Sequence, residues 1–263
     1  MTAVTLVTLH SQTMTSLNLI RQPRSGRPAY DTGLSHAVLR RIAAGELGAT
    51  FRLRRAEPVL AFGKQDASSP GFARAVAAAR AAGFAPVLRL AGGRAAVFHE
   101  GTIAFAHATP ERRPTEGTHR RFAETGEWLV AALERFGIDA RVGEIPGEYC
   151  PGAFSVNAGG RIKVAGVGQR LISGAAHVGG VVVVRDTAAL RDVLIPVYDA
   201  LGLEWNPETA GSLEDEVPQI AIEQVVGAIE AELGERFDLI ESEFAAETLA
   251  LAEQLAEQHA ISL

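Results

Sequence analysis

Cysteine and lysine are nearly absent from this chain. Cys150 is the single cysteine, and Lys64 and Lys163 are the two lysines among 25 basic residues, the remainder being arginine. One cysteine excludes an internal disulfide framework and suits a reducing compartment. Because arginine cannot give up its proton and binds through a planar fork, the two lysines are candidates for sites that a guanidinium would not serve.

Long apolar runs are absent as well. No run approaches the roughly 20 residues that a helix needs to span a bilayer, so we expect no membrane-embedded segment. The first basic residue is Arg21, and the start therefore lacks the basic region of a secretory signal. With 263 residues, 47% of them hydrophobic and 21% charged, the chain can bury a large core. The composition predicts a globular, cytoplasmic protein.

Basic residues are scarce in the last quarter of the chain, residues 201–263, which we call the acidic segment. It contains 15 acidic residues and one basic residue, Arg236, whereas residues 1–200 carry 24 basic and 16 acidic residues. A basic body could dock an acidic protein or a phosphorylated ligand. Alternatively, the acidic side chains could simply form a water-exposed surface of the C-terminal helices.

The hydrophobic patterns predict both helices and strands. We expect strands over 3–9, 50–66 with a break at Glu57-Pro58, 85–90, 95–108 and 178–185, and helices over 32–45, 70–82, 115–136 and from about 212 to the end. Because the two types do not alternate regularly, we predict an α+β fold with mixed, largely antiparallel sheets flanked by helices. A single domain over 1–263, with an acidic helical C-terminus over about 212–263, is the simplest organisation.

Both rare residue types occur in the stretch EYCPGAFSVNAGGRIKVAGVGQR. Ala158-Gly159-Gly160 predicts a hairpin turn, which would place Lys163 opposite Ser155. Cys150 would then lie roughly 16 Å further along in a strictly extended strand, so the hairpin alone does not join thiol and amine. Pro151-Gly152 is a strong turn signal that could fold the chain back over the site.

Cys150 lies on a turn-prone loop rather than within an apolar run. A lone cysteine is most often a small buried hydrophobe, but a loop thiol near a cation is the setting of a reactive thiolate. A cysteine protease would also need a histidine base, and nothing in the sequence ties His99, His107 or His177 to Cys150. Lys163 could equally be a surface lysine of a strand.

Gly92 and Gly93 separate two predicted strands in RLAGGRAAVFHEGTIAFAH, residues 89–107. Such a pair lets the backbone approach a ligand closely and aim N–H groups at an anion or a thioester carbonyl. On its own the pair is equally typical of a plain hairpin turn.

Together these segments resemble a known superfamily, that of the lipoate-protein ligases, octanoyltransferases and biotin ligases. The resemblance rests on Arg-x-x-Gly-Gly at 89–93 and Gly-Arg-x-Lys-x-x-Gly-x-x-Gln-Arg at 160–170. In addition, FGKQD at 62–66 is similar to its Gly-Arg-x-Gln segment, and HVGGVVVV at 177–184 to its His-Gly-x-Leu-Leu strand. The resemblance covers about residues 30–200 and implies a biotin/lipoate ligase-like catalytic domain.

Within the superfamily, EYCPGAFSV resembles the segment of the octanoyl amidotransferases that carries their acyl-accepting cysteine. The resemblance implies that Cys150 takes an octanoyl or lipoyl group as a thioester and that Lys163 contacts the acyl carbonyl. It implies no metal ligand. The implied substrate-binding residues are Arg89, Gly92, Gly93, Arg94, His99, Gly166, Gln169 and His177.

The implied reaction requires no cofactor. Its donor would be an acyl-carrier protein or an octanoylated or lipoylated carrier domain. Its acceptor would be a lysine of an apo lipoyl domain, in a 2-oxoacid dehydrogenase E2 or the glycine cleavage H protein. We expect neither nucleic acid nor a membrane as a partner.

An ATP-dependent lipoate-protein ligase is the main alternative, with Lys163 gripping a lipoyl-adenylate formed from ATP with Mg. Two departures weaken this reading. Arg94 stands where the ligases usually have a third glycine, and EGTIAFAH replaces their Asn-rich strand. A non-catalytic lipoate-binding relative and a biotin-attaching enzyme are further alternatives.

Overall fold

The computed structural model describes residues 14–262, and the predicted strand over 3–9 lies outside them. Within the described residues the strands are β1 (Thr15–Arg21), β2 (Thr50–Arg55), β3 (Val59–Phe62), β4 (Ala85–Leu88), β5 (Ala96–Phe98), β6 (Thr102–Glu111), β7 (Ala140–Val142), β8 (Val156–Ala158), β9 (Ile162–Ile172), β10 (Gly174–Val183) and β11 (Phe237–Glu241). The helices are α1 (Pro28–Ala43), α2 (Lys64–Ala67), α3 (Phe72–Ala81), α4 (Thr118–Glu134), α5 (Thr187–Leu201), α6 (Ile222–Gly234) and α7 (Ala246–Ala256).

The strands form a large and a small sheet. The large sheet has the order β11-β1-β2-β6-β10-β9-β8-β7, and the small one the order β4-β3-β5. Six of the nine pairings among the described strands are antiparallel; β1 is parallel to both β11 and β2, and β3 is parallel to β4. The predicted α+β fold with mixed, largely antiparallel sheets is confirmed.

The two faces of the large sheet have different coverings. On one face Phe51, Phe105 and Trp128 lie with ring centroids 5.2 to 6.1 Å apart, in the core under α4 and α6. On the other face Ala104 and Ala106, which alternate with Phe105 along β6, leave a cavity. The small sheet and α1 enclose that cavity, so the fold creates a covered space above the centre of the sheet.

Local chemistry explains several boundaries. The strands β2 and β3 are separated at Glu57-Pro58, as predicted, because proline has no N–H to donate to a ladder. Helix α5 begins where the Asp186 side chain accepts the N–H of Ala189 at 3.1 Å, and it ends at Gly202, whose φ is 67°.

The acidic segment is not wholly helical. The expectation of helix from about 212 to the end misses β11, which alternates through FDLIE and pairs in parallel with β1. Helix α7 then packs against α1. Within residues 14–262 no helix is long and apolar enough to cross a membrane.

The carboxylates of the acidic segment largely face arginines of residues 14–200. Eight such arginines form ion pairs with it: Arg21, Arg27, Arg41, Arg55, Arg135, Arg161, Arg185 and Arg191. The segment therefore neutralises much of the basic body, which leaves less positive charge for a partner than the sequence suggested.

Candidate active site

Cys150 lies on the loop between β7 and β8, and hydrogen bonds fix its backbone. Its φ is 42°, in the left-handed region that residues other than glycine rarely adopt. Its N–H donates to the Tyr198 hydroxyl at 2.9 Å, and that hydroxyl donates to the Ala95 carbonyl at 3.0 Å. Because Tyr198 is buried on α5, a distant helix holds the cysteine in this unfavourable conformation.

Two donors face the Cys150 sulfur. The backbone N–H of Arg94 points at Sγ over an N···S distance of 3.2 Å, and Nη1 of Arg89 lies 3.8 Å from it. Gly93, with a φ of 115°, permits this approach, since a Cβ there would come within 3.1 Å of Sγ. The sulfur belongs to a half-buried residue, and both donors reach it from the segment between Arg89 and Arg94.

Lys163 lies beneath the cysteine loop and is only 2% exposed. Its Nζ donates to Oε1 of Glu148 at 2.9 Å, to the carbonyl of Tyr149 at 2.9 Å and to the carbonyl of Cys150 at 2.8 Å. All three ammonium protons thus have acceptors within the protein. The lysine ties the cysteine loop to β9.

Glu148 completes this anchor. Its Oε1 also accepts from Oγ of Ser155 at 2.6 Å and from the N–H of Gly152 at 3.2 Å. Its side chain is fully buried, so its charge is balanced chiefly by Lys163. As the Pro151-Gly152 signal predicts, the chain turns back here.

The hairpin register differs from the prediction. Lys163 pairs with Asn157 rather than Ser155, because the turn begins at Gly159 and not at Ala158. Gly159 and Gly160 both have positive φ, 59° and 68°, which places them in the turn itself. A register shift between Val156 and Asn157 accompanies this turn.

The sulfur opens onto the cavity under the small sheet. The cavity has a volume of about 530 Å³, within the usual range for small-molecule sites. Near its middle, the cavity is lined mostly by apolar side chains and by backbone atoms. The apolar lining residues include Val59, Ala61, Val87, Phe98, Ala104, Ala106, Phe154 and Val167. A second pocket of about 700 Å³ adjoins the Gly92-Gly93 turn and includes Lys64 and Arg94.

Seven of the eight predicted substrate-binding residues line one of these two pockets: Arg89, Gly92, Gly93, Arg94, Gly166, Gln169 and His177. His99 does not. It is buried in the turn between β5 and β6, where its Nδ1 accepts the N–H of Gly101 at 3.0 Å. The tight turn directs the ring at its own backbone.

The three histidines considered as bases have other surroundings. His177 lines the cavity, and burial, followed by the charge of Arg52, lowers its pKa to about 3. His107 packs between Phe51 and Phe237, and burial lowers its pKa to about 4. Among the described residues, no histidine hydrogen-bonds Cys150, so the site differs from a cysteine-histidine dyad.

The Gln169 side chain connects strand β9 to helix α4. Its Oε1 accepts from Nε of Arg121 at 3.0 Å, and its Nε2 donates to the Thr118 carbonyl at 2.8 Å. Both ends of the side chain therefore bind α4 or its start. The side chain fixes the wall of the cavity.

Three residues of the site have roles that only the structure shows: Glu148, Tyr198 and Asp66. Glu148 was visible only as a neighbour of the cysteine, and Tyr198 carries no local signal. Asp66 accepts from Nη1 of Arg94 at 3.2 Å and from the N–H of Gly63 at 2.9 Å. The resemblance at FGKQD marked its segment without indicating this contact.

The fold is that of the lipoate-protein ligases. A bi-partite lipoate protein ligase from Thermoplasma acidophilum shares the fold with a TM-score of 0.70, at 19% identity, over 93% of each chain. A lipoate-protein ligase A bound with ATP has a TM-score of 0.73, at 18% identity, over 93% of this chain and 95% of that one. The chain belongs to the lipoyl protein ligase A/B catalytic domain family, whose model matches residues 27–234.

Curated relatives narrow the family further. An octanoyl-[GcvH]:protein N-octanoyltransferase of Geobacillus kaustophilus is 28% identical over 216 residues, 78% of this chain and 76% of the relative. One of the same name from Exiguobacterium sibiricum is 28% identical over 183 residues, and the match spans 64% of each chain. These comparisons confirm the predicted superfamily and its octanoyltransferase branch, and the enzyme class is that of an acyltransferase.

Proposed function

We propose that this chain transfers an octanoyl group to a lysine of a lipoyl domain, holding the group on Cys150 as a thioester between the two steps. The observation that carries the proposal is the position of Sγ, at an apolar cavity and facing the N–H of Arg94. The curated relatives, which are named octanoyltransferases, support the cargo.

In the first step the Cys150 thiolate attacks the carbonyl carbon of the octanoyl donor. A carbon–sulfur bond forms, the bond to the donor group breaks, and the leaving group takes a proton. In the second step the neutral amine of the acceptor lysine attacks the thioester. An amide forms, one amine proton is lost, and the thiolate of Cys150 is regenerated.

Lys163 acts in this proposal by positioning the cysteine loop. Its three protons are already shared among Glu148, Tyr149 and Cys150, so contact with the acyl carbonyl requires it to release one acceptor. The N–H of Arg94 is the donor closest to the reacting sulfur, and it is suited to a developing oxyanion beside that atom.

The names of the relatives place octanoyl-[GcvH] first and a protein second. Read as donor and acceptor, they suggest octanoylated glycine cleavage H protein as the donor here and an E2 lipoyl domain as the acceptor. An octanoylated acyl-carrier protein is the second donor to test. Neither step requires ATP, Mg or another cofactor, and we place the reaction in the cytoplasm.

Intact-mass analysis tests the proposal. The protein is incubated with octanoyl-H protein or octanoyl-carrier protein without ATP, and then mixed with an apo E2 lipoyl domain. We expect an octanoyl adduct on Cys150 that disappears as the lipoyl domain gains the group, and no adduct in Cys150→Ser. ATP-dependent release of pyrophosphate from free octanoate or lipoate, with Cys150→Ser still active, would instead establish the ligase alternative.

A further inference from the structure

The cavity floor is a strip of residues with little or no side chain. Strand register places Gly168 of β9, Gly179 of β10 and Ala106 of β6 side by side, and the next residue in the row is Arg52 of β2. Because neighbouring strands are about 4.8 Å apart, this row from Gly168 to Arg52 is about 14 Å long. The floor therefore carries no large side chain of its own between Gly168 and Arg52, although the His177 ring lies over Gly179, where a Cβ would come within 2.6 Å of its Nε2.

The adjoining row ends in the same way. Gly166, Val181 and Ala104 lie side by side on β9, β10 and β6, and Arg54 of β2 follows them. All of these residues line the cavity, as does Arg52. Arg52 and Arg54, both on β2, thus lie at the ends of the two rows.

The thiol lies at the opposite end of the strip. Gly168 is covered by the Gly92-Gly93 turn, since a Cβ on Gly168 would come within 2.8 Å of the Gly92 carbonyl and 2.9 Å of Nη2 of Arg89. The same turn approaches Sγ of Cys150. An acyl chain on that sulfur, extended over the floor, points its methyl end at β2.

The closing end is a buried cluster of charged groups, Asp31, Arg52 and Arg54, which we call the charged wall. Nη1 of Arg52 donates to the Asp31 carbonyl at 3.1 Å and to Oγ of Ser35 at 2.6 Å, and its Nη2 donates to Oε1 of Gln22. Nη1 of Arg54 lies 3.7 Å from Oδ2 of Asp31.

Three buried atoms of the charged wall have no hydrogen-bond partner: Nε of Arg52, Oδ2 of Asp31 and Nη1 of Arg54. The three side chains are 5%, 0% and 14% exposed, respectively. Apolar material that displaces water from the cavity beside these charges lowers the local dielectric constant and supplies no hydrogen bond, and both effects cost free energy. The charged wall is thus a poor surface for additional methylenes.

We infer that the charged wall sets the length of the acyl chain that this site accepts. This inference rests on the proposed function and deepens it, because it assigns the preference for eight carbons to Asp31, Arg52 and Arg54. Each methylene buried over the floor increases affinity about fourfold, from about 0.8 kcal/mol per group. A methylene that reaches the charged wall meets charged groups instead of apolar surface, and it adds no such affinity.

Equilibrium binding of free fatty acids from butanoate to dodecanoate tests the inference without any chemical step. In the wild-type protein we expect affinity to rise about fourfold per methylene up to octanoate and then to stop rising or to fall. An affinity that continues to rise at the same rate through dodecanoate would overturn the inference.

Two variants should shift the preferred length of the fatty acid in opposite directions. Ala106→Val fills the middle of the floor, and we expect its optimum to shift to hexanoate. Asp31→Leu/Arg52→Met removes one charge of each sign from the charged wall and leaves Arg54, and we expect decanoate and dodecanoate, extended along the row from Gly168, to bind more tightly than octanoate. Arg55→Met is the matched control on the same strand, because Arg55 is exposed and pairs with Glu223 outside the cavity; its profile should equal that of the wild type.

Thermal melts establish that each variant is folded, and if the double variant does not fold, Arg54→Met, which removes another charge of the charged wall, is measured in its place with the same expected shift to longer chains. An octanoate optimum that is unchanged in the folded variants refutes the charged wall as the determinant. Acylation of Cys150 by octanoyl thioesters of a small thiol is measured in parallel. If fatty acids show the predicted limit but Cys150 gains no adduct, the thioester proposal fails and the inference about length stands.

Discussion

Ion pairs occur in two very different settings in this molecule. Between the acidic segment and the body, arginines and carboxylates meet at the surface; Arg27 and Glu253, for example, are 55% and 51% exposed. Under the cysteine loop, Lys163 and Glu148 meet with exposures of 2% and 0%. Surface pairs contribute little to stability because water and salt screen them, whereas a buried charge depends on its partner.

The comparison also accounts for a lysine at position 163. In the surface ion pairs of residues 14–262 the cation is a guanidinium, often with two parallel hydrogen bonds, as between Arg27 and Glu253. At Lys163 the acceptors are one carboxylate and two successive carbonyls that surround a single compact nitrogen. A planar fork cannot direct its donors in this way, so lysine is retained there.

Breaking the buried pair should have the largest effect. Lys163→Met leaves the buried carboxylate of Glu148 without its counter-charge, and we expect a loss of about 3–5 kcal/mol in the free energy of unfolding. Thioester formation on Cys150 should fall more than about 100-fold, because the loop loses its anchor. Urea unfolding and the rate of adduct formation measure both. If Lys163→Met is as stable as Arg27→Met, its surface counterpart, the comparison fails.

Removing the Tyr198 hydroxyl should come next. Tyr198→Phe leaves the buried N–H of Cys150 without an acceptor, which costs about 1–3 kcal/mol of stability. Because Cys150 can then relax from its positive φ, we expect adduct formation to slow about tenfold. Tyr30→Phe, on α1, is the matched control. Equal rates in the two variants would show that the hydroxyl does not position the thiol.

Low pH tests the contribution of two buried histidines, His36 and His107, which belong to neither kind of ion pair. Burial lowers the pKa of His36 and of His107 to about 4, and unfolded histidines take up a proton near pH 6.5. Below that pH the unfolded chain binds more protons than the folded protein, so stability falls as the pH drops towards 4. We expect a lower melting temperature at pH 5 than at pH 7, with a smaller difference in His107→Leu. An identical difference in that variant would exclude His107 as a source.

The smallest effect should come from a surface pair. Arg27→Gln removes the pair with Glu253, and we expect the melting temperature to change by less than about 4 °C. Raising the salt concentration to about 1 M should reduce even this difference, since exposed charges are screened. Melting curves at low and high salt measure it. A larger shift that persists at high salt would mean that Arg27 stabilises the protein through contacts that salt does not screen.

Much of this fold follows from local sequence signals, and the site follows in part. Proline at 58 and the glycines at 159–160 mark breaks and turns because their backbone chemistry acts locally. β11 was missed because FDLIE is short and lies between helical patterns, and its pairing with β1 is a long-range contact. The same holds for Tyr198, whose partner Cys150 lies 48 residues away.

The resemblance located the thiol, the lysine and the glycine turn because these lie within short motifs. The charged wall lies outside those motifs. Arg52 and Asp31 look like ordinary charged residues of a strand and a helix, and only the register across β2, β6, β10 and β9 shows that they close one cavity. Their burial is a property of the assembled sheet and helix.

The place of residues 237–260 in the structure has a consequence for biosynthesis. β11 pairs with β1, and the carbonyl of His259 accepts the N–H of Leu88, the residue before Arg89 at the sulfur. These partners leave the ribosome long after the strands that they complete, and contacts of such separation form slowly. A nascent chain therefore carries its thiol for many seconds of translation before the surrounding architecture closes around it.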